Sequence, residues 1–137
     1  MSDQFKLDQR LKNDGVVIGE LGLCQLIFID NCLFPWVILV PKISGMKDII
    51  DLDSKGRILL AEEVNIVSEK MKEIFKPDKL NVASLGNIVS QLHVHIVARY
   101  ENDEAWPNPV FGFKKKAYSL EKREEIISLL KKSLNLK

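Results

Sequence analysis

The two histidines of the chain, His93 and His95, lie two positions apart in an apolar, β-branched run. Side chains of a strand alternate between its two faces, so a strand here places both imidazoles on one face with Gln91 and Arg99. An imidazole titrates near neutral pH and can act as a nucleophile, a base or a metal ligand. This predicted strand therefore carries the densest group of reactive side chains in the sequence.

Two interpretations of the histidine pair involve no catalysis by imidazole. In the first, both histidines are ordinary half-buried residues of a sheet face. In the second, His-x-His binds zinc or iron, with Asp30, Cys24 or Cys32 completing the site. Nothing in the spacing of these residues pairs them, and two ligands do not make a metal site, so we expect no metal or other cofactor.

A third interpretation is nucleophilic catalysis. A neutral imidazole nitrogen attacks an activated phosphorus, and water then opens the phosphoramidate that forms. This chemistry needs an acceptor that holds the other ring nitrogen, and hydrogen-bond donors for the phosphate oxygens and the leaving group. Gln91, His95 and Arg99 are residue types that could supply those donors to His93.

The composition is that of one globular domain, which we expect to span residues 1–137. The formal charge of +1 gives no reason to expect a nucleic-acid polymer or a membrane surface as a partner. The longest apolar stretch, 33–41, is far shorter than the roughly 20 residues that span a bilayer. No signal peptide is evident, and Cys24 and Cys32 are interpreted as buried thiols, so we expect a cytoplasmic protein.

The elements that position the histidine strand follow from hydrophobic periodicity and caps. Strands are predicted over 16–21, 23–29, 36–40, 79–84 and 91–98. A long helix capped by Asp53 or Ser54 ends at Lys76–Pro77, Ser119 caps a terminal helix, and 7–13 form a short opening helix. This order predicts an α+β fold, with an antiparallel sheet of about five strands and helices packed on one side.

The residues around the histidines resemble the histidine triad superfamily of nucleotide-binding hydrolases and transferases. Gln91-φ-His-φ-His-φ-φ (φ apolar), after Gly86-Asn87, is similar to the family signature His-φ-His-φ-His-φ-φ after Gly-Gln. The strands 27–31 and 35–41 and the long helix are also similar to that family. The loop 106–112 resembles the tail of a bacterial subgroup with Gln in place of the first histidine. The resemblance covers roughly residues 16–112 and implies a histidine triad fold.

The resemblance implies a catalytic role for each residue of the motif. His93 matches the central histidine, the nucleophile that takes the nucleotidyl group. His95 matches the last histidine, which helps to hold the α-phosphate and eases departure of the leaving group. Gln91 stands where the first histidine usually orients the surroundings of the nucleophile, and its amide cannot titrate near neutral pH.

The resemblance also implies substrate contacts. Asn87 follows the glycine and is expected near a phosphate oxygen, and Asn81 is expected at the substrate. Asp30 or Asn31 lies near the ribose-binding position. Apart from the resemblance, the residue types alone predict that Arg99 either clamps a phosphate or forms a salt bridge to the adjacent acidic stretch at Asp103 or Glu104.

The implied function is hydrolysis or nucleotidyl transfer at the α-phosphate of a nucleotide conjugate. Expected substrates are nucleoside phosphoramidates, dinucleoside polyphosphates or similar compounds, with a nucleotidyl-histidine intermediate. The family also implies a homodimer whose two sheets join. The alternative is a nucleotide-binding or sensor module of the same fold in which Gln91 leaves catalysis weak.

Overall fold

The computed structural model describes residues 4–136, which form a five-stranded antiparallel sheet with three α-helices, as the sequence predicts. The strands lie in the spatial order β1-β2-β3-β5-β4. No helix in the described range is long and apolar enough to cross a membrane. In chain order the elements are α1 (Gln9–Asn13), β1 (Gly15–Glu20), β2 (Cys24–Ile29), β3 (Trp36–Pro41), α2 (Ser54–Phe75), β4 (Lys79–Ala83), β5 (Val94–Arg99) and α3 (Leu120–Ser133).

The helix ends follow local chemistry. The carboxylate of Asp53 accepts a hydrogen bond from the backbone N–H of Gly56 at 2.7 Å and so caps the start of α2. The helix ends at Lys76, whose left-handed φ of 48° turns the chain just before Pro77. Ser119 caps α3 in the same way as Asp53 caps α2. All of these boundaries are predictable from the sequence, because each depends on neighbouring residues.

Each face of the sheet carries its own hydrophobic cluster. Side chains of α2 and α3, such as Val67 and Leu130, pack on one face. The opposite face is covered by Leu11 of α1 and by loop residues such as Val110. The expected placement of helices on one side therefore holds for α2 and α3 but is wrong for α1. The second face is covered mainly by loops, and this leaves room for a pocket.

The histidine strand begins later than predicted. β5 starts at Val94, because β3 and β4 pair with no residue before it. The backbone N–H of Leu92 instead donates to the carbonyl of Met46 at 2.9 Å. Gln91 and His93 thus precede the strand.

One carboxylate is buried in the core next to a cysteine. Glu63 of α2 is 3% exposed and accepts hydrogen bonds from the backbone N–H groups of Leu23 at 2.7 Å and Cys24 at 2.8 Å. These bonds tie the β1–β2 turn to α2. Burial, and then the charge of Glu63, raises the pKa of the Cys24 thiol far above its usual range. Cys24 is therefore an inert core residue. Cys32, which was also expected to be buried, is only partly buried, and both cysteines are free of disulfide bonds.

Candidate active site

A pocket of about 320 Å³ opens on the sheet face opposite α2 and α3. Both histidines line it, together with Trp36 and Ile38 of β3 and the loop 85–89 that follows β4. A larger depression of about 790 Å³ lies between residues 5–12 and the first two strands, and neither histidine lines it. The smaller pocket is the candidate active site because it holds the titratable pair.

The hydrogen bond of His93 fixes which ring nitrogen carries the proton. Nδ1 of His93 lies 2.6 Å from the main-chain carbonyl oxygen of Gln91. A carbonyl oxygen only accepts hydrogen bonds, so Nδ1 is the donor and carries the hydrogen. In the neutral ring the lone pair is then on Nε2. This is the arrangement that a nucleophilic histidine needs.

His95 is held in the opposite tautomer. The indole Nε1–H of Trp36 donates to Nδ1 of His95 at 3.0 Å, and an indole nitrogen can only donate. Nδ1 of His95 is therefore the acceptor, and Nε2 carries the hydrogen. Burial, and then the charge of His93, lowers the pKa of His95 to about 4. At neutral pH His95 is a neutral hydrogen-bond donor.

The two imidazoles thus have complementary properties in adjacent positions. Their ring centroids lie 4.8 Å apart in an edge-to-face arrangement, and both residues are largely buried. Phe111 packs on the ring of His95 at 4.9 Å and on Trp36 at 5.7 Å. A lone pair next to a fixed N–H donor can attack an electrophile while a neighbouring oxygen is stabilised.

The side chain of Gln91 is directed to the N-terminal segment. Its Oε1 accepts a hydrogen bond from the backbone N–H of Asp8, and its Nε2 donates to the carbonyl of Lys6, both at 2.9 Å. The contact of Gln91 with His93 is made by its main-chain carbonyl. The residue type at position 91 therefore acts on the N-terminal segment, while its backbone acts on the nucleophile.

Asn87 lies on the pocket wall. It is exposed and belongs to the loop 85–89, in which Gly86 has a φ of 74° that favours glycine. The left-handed turn at Gly86 leads the chain from β4 back over the pocket. Asn87 is the one predicted substrate-binding residue that lines the pocket.

Arg99 and Asn81 are engaged with protein groups. The guanidinium of Arg99 donates from Nε and Nη2 to the carboxylate of Asp103 at 2.8 and 3.1 Å, and from Nη1 to Oδ1 of Asn81 at 2.9 Å. Arg99 is 1% exposed, and neither it nor Asn81 lines the pocket. Of the two roles that the sequence left open for Arg99, the structure shows the salt bridge to Asp103. The pair anchors the segment after β5.

Asp30 and Asn31 also bind other parts of the chain. The carboxylate of Asp30 accepts from the backbone N–H of Tyr118 at 3.0 Å and from Nη1 of Arg123 at 3.3 Å. Oδ1 of Asn31 accepts from the backbone N–H of Leu33 at 3.1 Å. Neither residue lines the pocket. Both therefore serve the connections of β2 in the structure described here.

Sequence reasoning missed several pocket residues. Trp36, Leu11, Asp14 and Phe111 line the pocket, and none was selected from the sequence as a site residue. Trp36 pairs with Val97, which lies two residues after His95 and on the same face of β5. The pairing of β3 with β5 is therefore what identifies Trp36 as a neighbour of His95. Asp14 carries the only carboxylate among the lining residues.

No group of three or more His, Cys, Asp or Glu residues within 4–136 is arranged to hold a metal ion.

The sequence and fold were compared with known proteins. Residues 10–102 match the HIT domain. A histidine triad protein from Bradyrhizobium japonicum is 42% identical, with 96% of this chain and 99% of that chain covered and a TM-score of 0.94. One from Marinobacter aquaeolei is 40% identical, with 97% and 98% covered and a TM-score of 0.94.

A more distant structure shares the fold. The diadenosine triphosphate hydrolase of Plasmodium falciparum is 21% identical, with 98% of this chain and 86% of that chain covered and a TM-score of 0.66. No curated protein matches the sequence significantly.

Proposed function

Because the chain belongs to the HIT domain family, we propose that it is a nucleotide hydrolase or nucleotidyl transferase acting at the α-phosphate of a nucleotide conjugate. Nucleoside phosphoramidates and dinucleoside polyphosphates are the substrate classes proposed. The observation that carries this proposal is the pair of hydrogen bonds that hold two adjacent imidazoles in opposite tautomers. The bond to the carbonyl of Gln91 leaves His93 with a free Nε2 lone pair, and the bond from Trp36 leaves His95 with an Nε2–H donor.

The proposed reaction has two displacement steps. Nε2 of His93 forms a bond to the α-phosphorus, and the bond from phosphorus to the leaving group breaks. The leaving group keeps that electron pair: a phosphate departs as the anion, and an amine departs after its nitrogen takes a proton from solvent. The ring of His93 becomes positive, and its Nδ1–H remains bonded to the carbonyl of Gln91. Water then attacks phosphorus, the P–N bond breaks, and the nucleoside monophosphate leaves as the water proton passes to solvent.

His95 is proposed to stabilise charge on the phosphate. Its Nε2–H is available because Nδ1 is occupied by Trp36. Since burial lowers the pKa of His95 to about 4, the ring stays neutral at pH 7 and acts as a hydrogen-bond donor to a phosphoryl oxygen or to the leaving group. A fixed neutral donor costs no repulsion when His93 becomes positive.

The pocket walls support binding of a nucleoside. Leu11, Ile38 and Val89 offer an apolar surface suited to a base, and Asn87 and Asp14 offer polar groups suited to phosphate and ribose. We propose Asn87 as the phosphate contact. We propose that four other residues support the site through the hydrogen bonds described above: Asp30, Asn31, Asn81 and Arg99.

The position of Gln91 supports placing the chain in the bacterial subgroup with Gln instead of the first triad histidine. We propose that catalysis persists, because the contact with His93 comes from the backbone of residue 91 and does not need an imidazole side chain. The alternative, a binding or sensor module with weak catalysis, predicts mononucleotide affinity without turnover.

A homodimer is proposed from surface composition. The outer face of α2 exposes Ile58 and Ile66, and Val82 is exposed on the edge strand β4. Two copies joined through these surfaces would cover apolar residues and pair an open strand edge. We also propose a cytoplasmic location, since both Cys24 and Cys32 are free thiols.

The test is to trap the intermediate. The protein is mixed with radiolabelled nucleoside phosphoramidate or dinucleoside polyphosphate and quenched in alkali, where phosphohistidine linkages survive. We expect a labelled adduct on His93, its loss in His93→Ala, and its retention in the matched variant His95→Gln with slower formation. An adduct that survives in His93→Ala would refute the assignment of the nucleophile. Mononucleotide binding without turnover or adduct would favour the sensor module.

A further inference from the structure

The amide of Gln91 matches the backbone of the N-terminal segment. Its oxygen and nitrogen lie side by side and meet the N–H of Asp8 and the carbonyl of Lys6, both at 2.9 Å. An imidazole has its nitrogens on separate sides of the ring, so a histidine at position 91 could not satisfy both groups.

A second contact joins the same segment to the pocket loop. The carboxylate of Asp8 binds the guanidinium of Arg10 through Nε at 3.1 Å and Nη2 at 3.0 Å. Nη1 of Arg10 donates to the carbonyl of Ile88 at 3.2 Å. The segment thus contacts both Ile88 and Gln91, which lie in the short stretch between Asn87 and the nucleophile. Leu11, the next residue, lines the pocket.

We propose that Gln91 is a positioning residue whose amide clamps residues 6–11 against the pocket, so that Leu11 forms a wall of the nucleotide site and the loop bearing Asn87 stays in place. This inference rests on the proposed nucleotide site. It assigns the side chain at position 91 to the shape of the pocket and leaves the orientation of His93 to its carbonyl. The clamp uses no group of Gln91 that titrates near neutral pH.

The chain offers a matched pair of variants for this clamp. Asp8 has a φ of −59°, which proline adopts without strain. Asp8→Ala removes the carboxylate but keeps the N–H that binds Gln91, whereas Asp8→Pro removes both. Comparing the two variants tests the contact between this N–H and Oε1 of Gln91, because in Asp8→Pro the bond is lost and the ring Cδ takes the place of the hydrogen. Repeating the comparison in Gln91→Ala shows whether Gln91 is the partner.

The affinity for AMP and GMP is measured by calorimetry, and KM and kcat are measured with a nucleoside phosphoramidate. Loss of one hydrogen bond corresponds to about 2- to 12-fold in affinity. We expect Asp8→Pro to bind that much more weakly than Asp8→Ala, with KM raised and kcat within about twofold. In Gln91→Ala the two variants should bind equally. Hydrogen exchange at Leu11 should be faster in Asp8→Pro than in Asp8→Ala only when Gln91 is present.

Gln91→His provides an independent comparison. If the amide is a clamp, this variant binds mononucleotide more weakly than the wild type. If residue 91 were a weakened triad member, the histidine would raise turnover and overturn the proposal. Two results of the affinity measurements would also overturn the clamp. One is equal mononucleotide affinity of Asp8→Pro and Asp8→Ala when Gln91 is present. The other is an affinity ratio between these two variants that stays the same in the Gln91→Ala background. A wild-type protein that binds no nucleotide would instead overturn the proposed site, and this inference with it.

Discussion

Acid should destabilise the folded protein through His95. Burial, and then the charge of His93, lowers the pKa of His95 from 6.5 to about 4. The unfolded chain binds a proton at this residue near pH 6.5, whereas the folded protein binds it only near pH 4. Stability is therefore fully present above about pH 6.5 and is lost as the pH falls toward 4.

The size of this loss follows from the two pKa values. Each pKa unit corresponds to about 1.4 kcal/mol, so the whole loss is about 3 kcal/mol, of which about 2 kcal/mol is reached at pH 5. The matched variant is His95→Gln, because an amide can accept from Trp36 and donate from its nitrogen but cannot titrate. Carboxylates that titrate at low pH are common to both proteins and cancel in the comparison.

The assay is urea unfolding followed by tryptophan fluorescence at pH 7.5 and at pH 5. We expect the free energy of unfolding of the wild type to fall by about 2 kcal/mol more than that of His95→Gln. A wild type and a variant that lose the same free energy between these pH values would refute the inference that His95 is buried in its neutral form.

Three other variants test the bonds around the site. Trp36→Phe removes the donor to Nδ1 of His95. Since an orphaned buried acceptor costs about 1–3 kcal/mol, we expect stopped-flow kinetics to show kcat lowered about 5- to 160-fold. An unchanged kcat would show that another contact holds the tautomer of His95. Asp103→Asn leaves the buried Arg99 without its charged partner, and we expect the free energy of unfolding in urea to fall by about 3–5 kcal/mol. A fall of less than about 1 kcal/mol would contradict a buried ion pair. Glu63→Gln places an amide nitrogen, which cannot accept, where two backbone N–H groups converge. We expect the free energy of unfolding in urea to fall by about 1–3 kcal/mol. Stability equal to that of the wild type would mean that the β1–β2 turn relaxes around the amide.

Local sequence was sufficient to predict most of the elements. The caps of α2 and α3 and the stop before Pro77 each depend on residues within one turn of the helix end. The antiparallel five-stranded sheet was predictable from strand patterns and short connections. The start of β5 was not predictable, because it depends on where the neighbouring strands stop pairing.

Polar side chains near the site were harder to assign. Arg99 had a phosphate, Asp103 or Glu104 as possible partners, and in the folded protein its guanidinium binds Asp103. Asp30 is bound by Arg123, which lies far along the chain, and no local pattern announces this partner. Such bonds require two distant elements to pack first.

The sequence by itself determined that two imidazoles share one side of an extended segment, because alternation along the chain is a local property. Only the tertiary structure decided which nitrogen of each ring holds the proton. That choice depends on the indole of Trp36, which the β3–β5 register brings to His95, and on the turn of the chain that directs the carbonyl of Gln91 to His93. Likewise, the side chain at position 91 acquired its role from Lys6 and Asp8, more than 80 residues away along the chain.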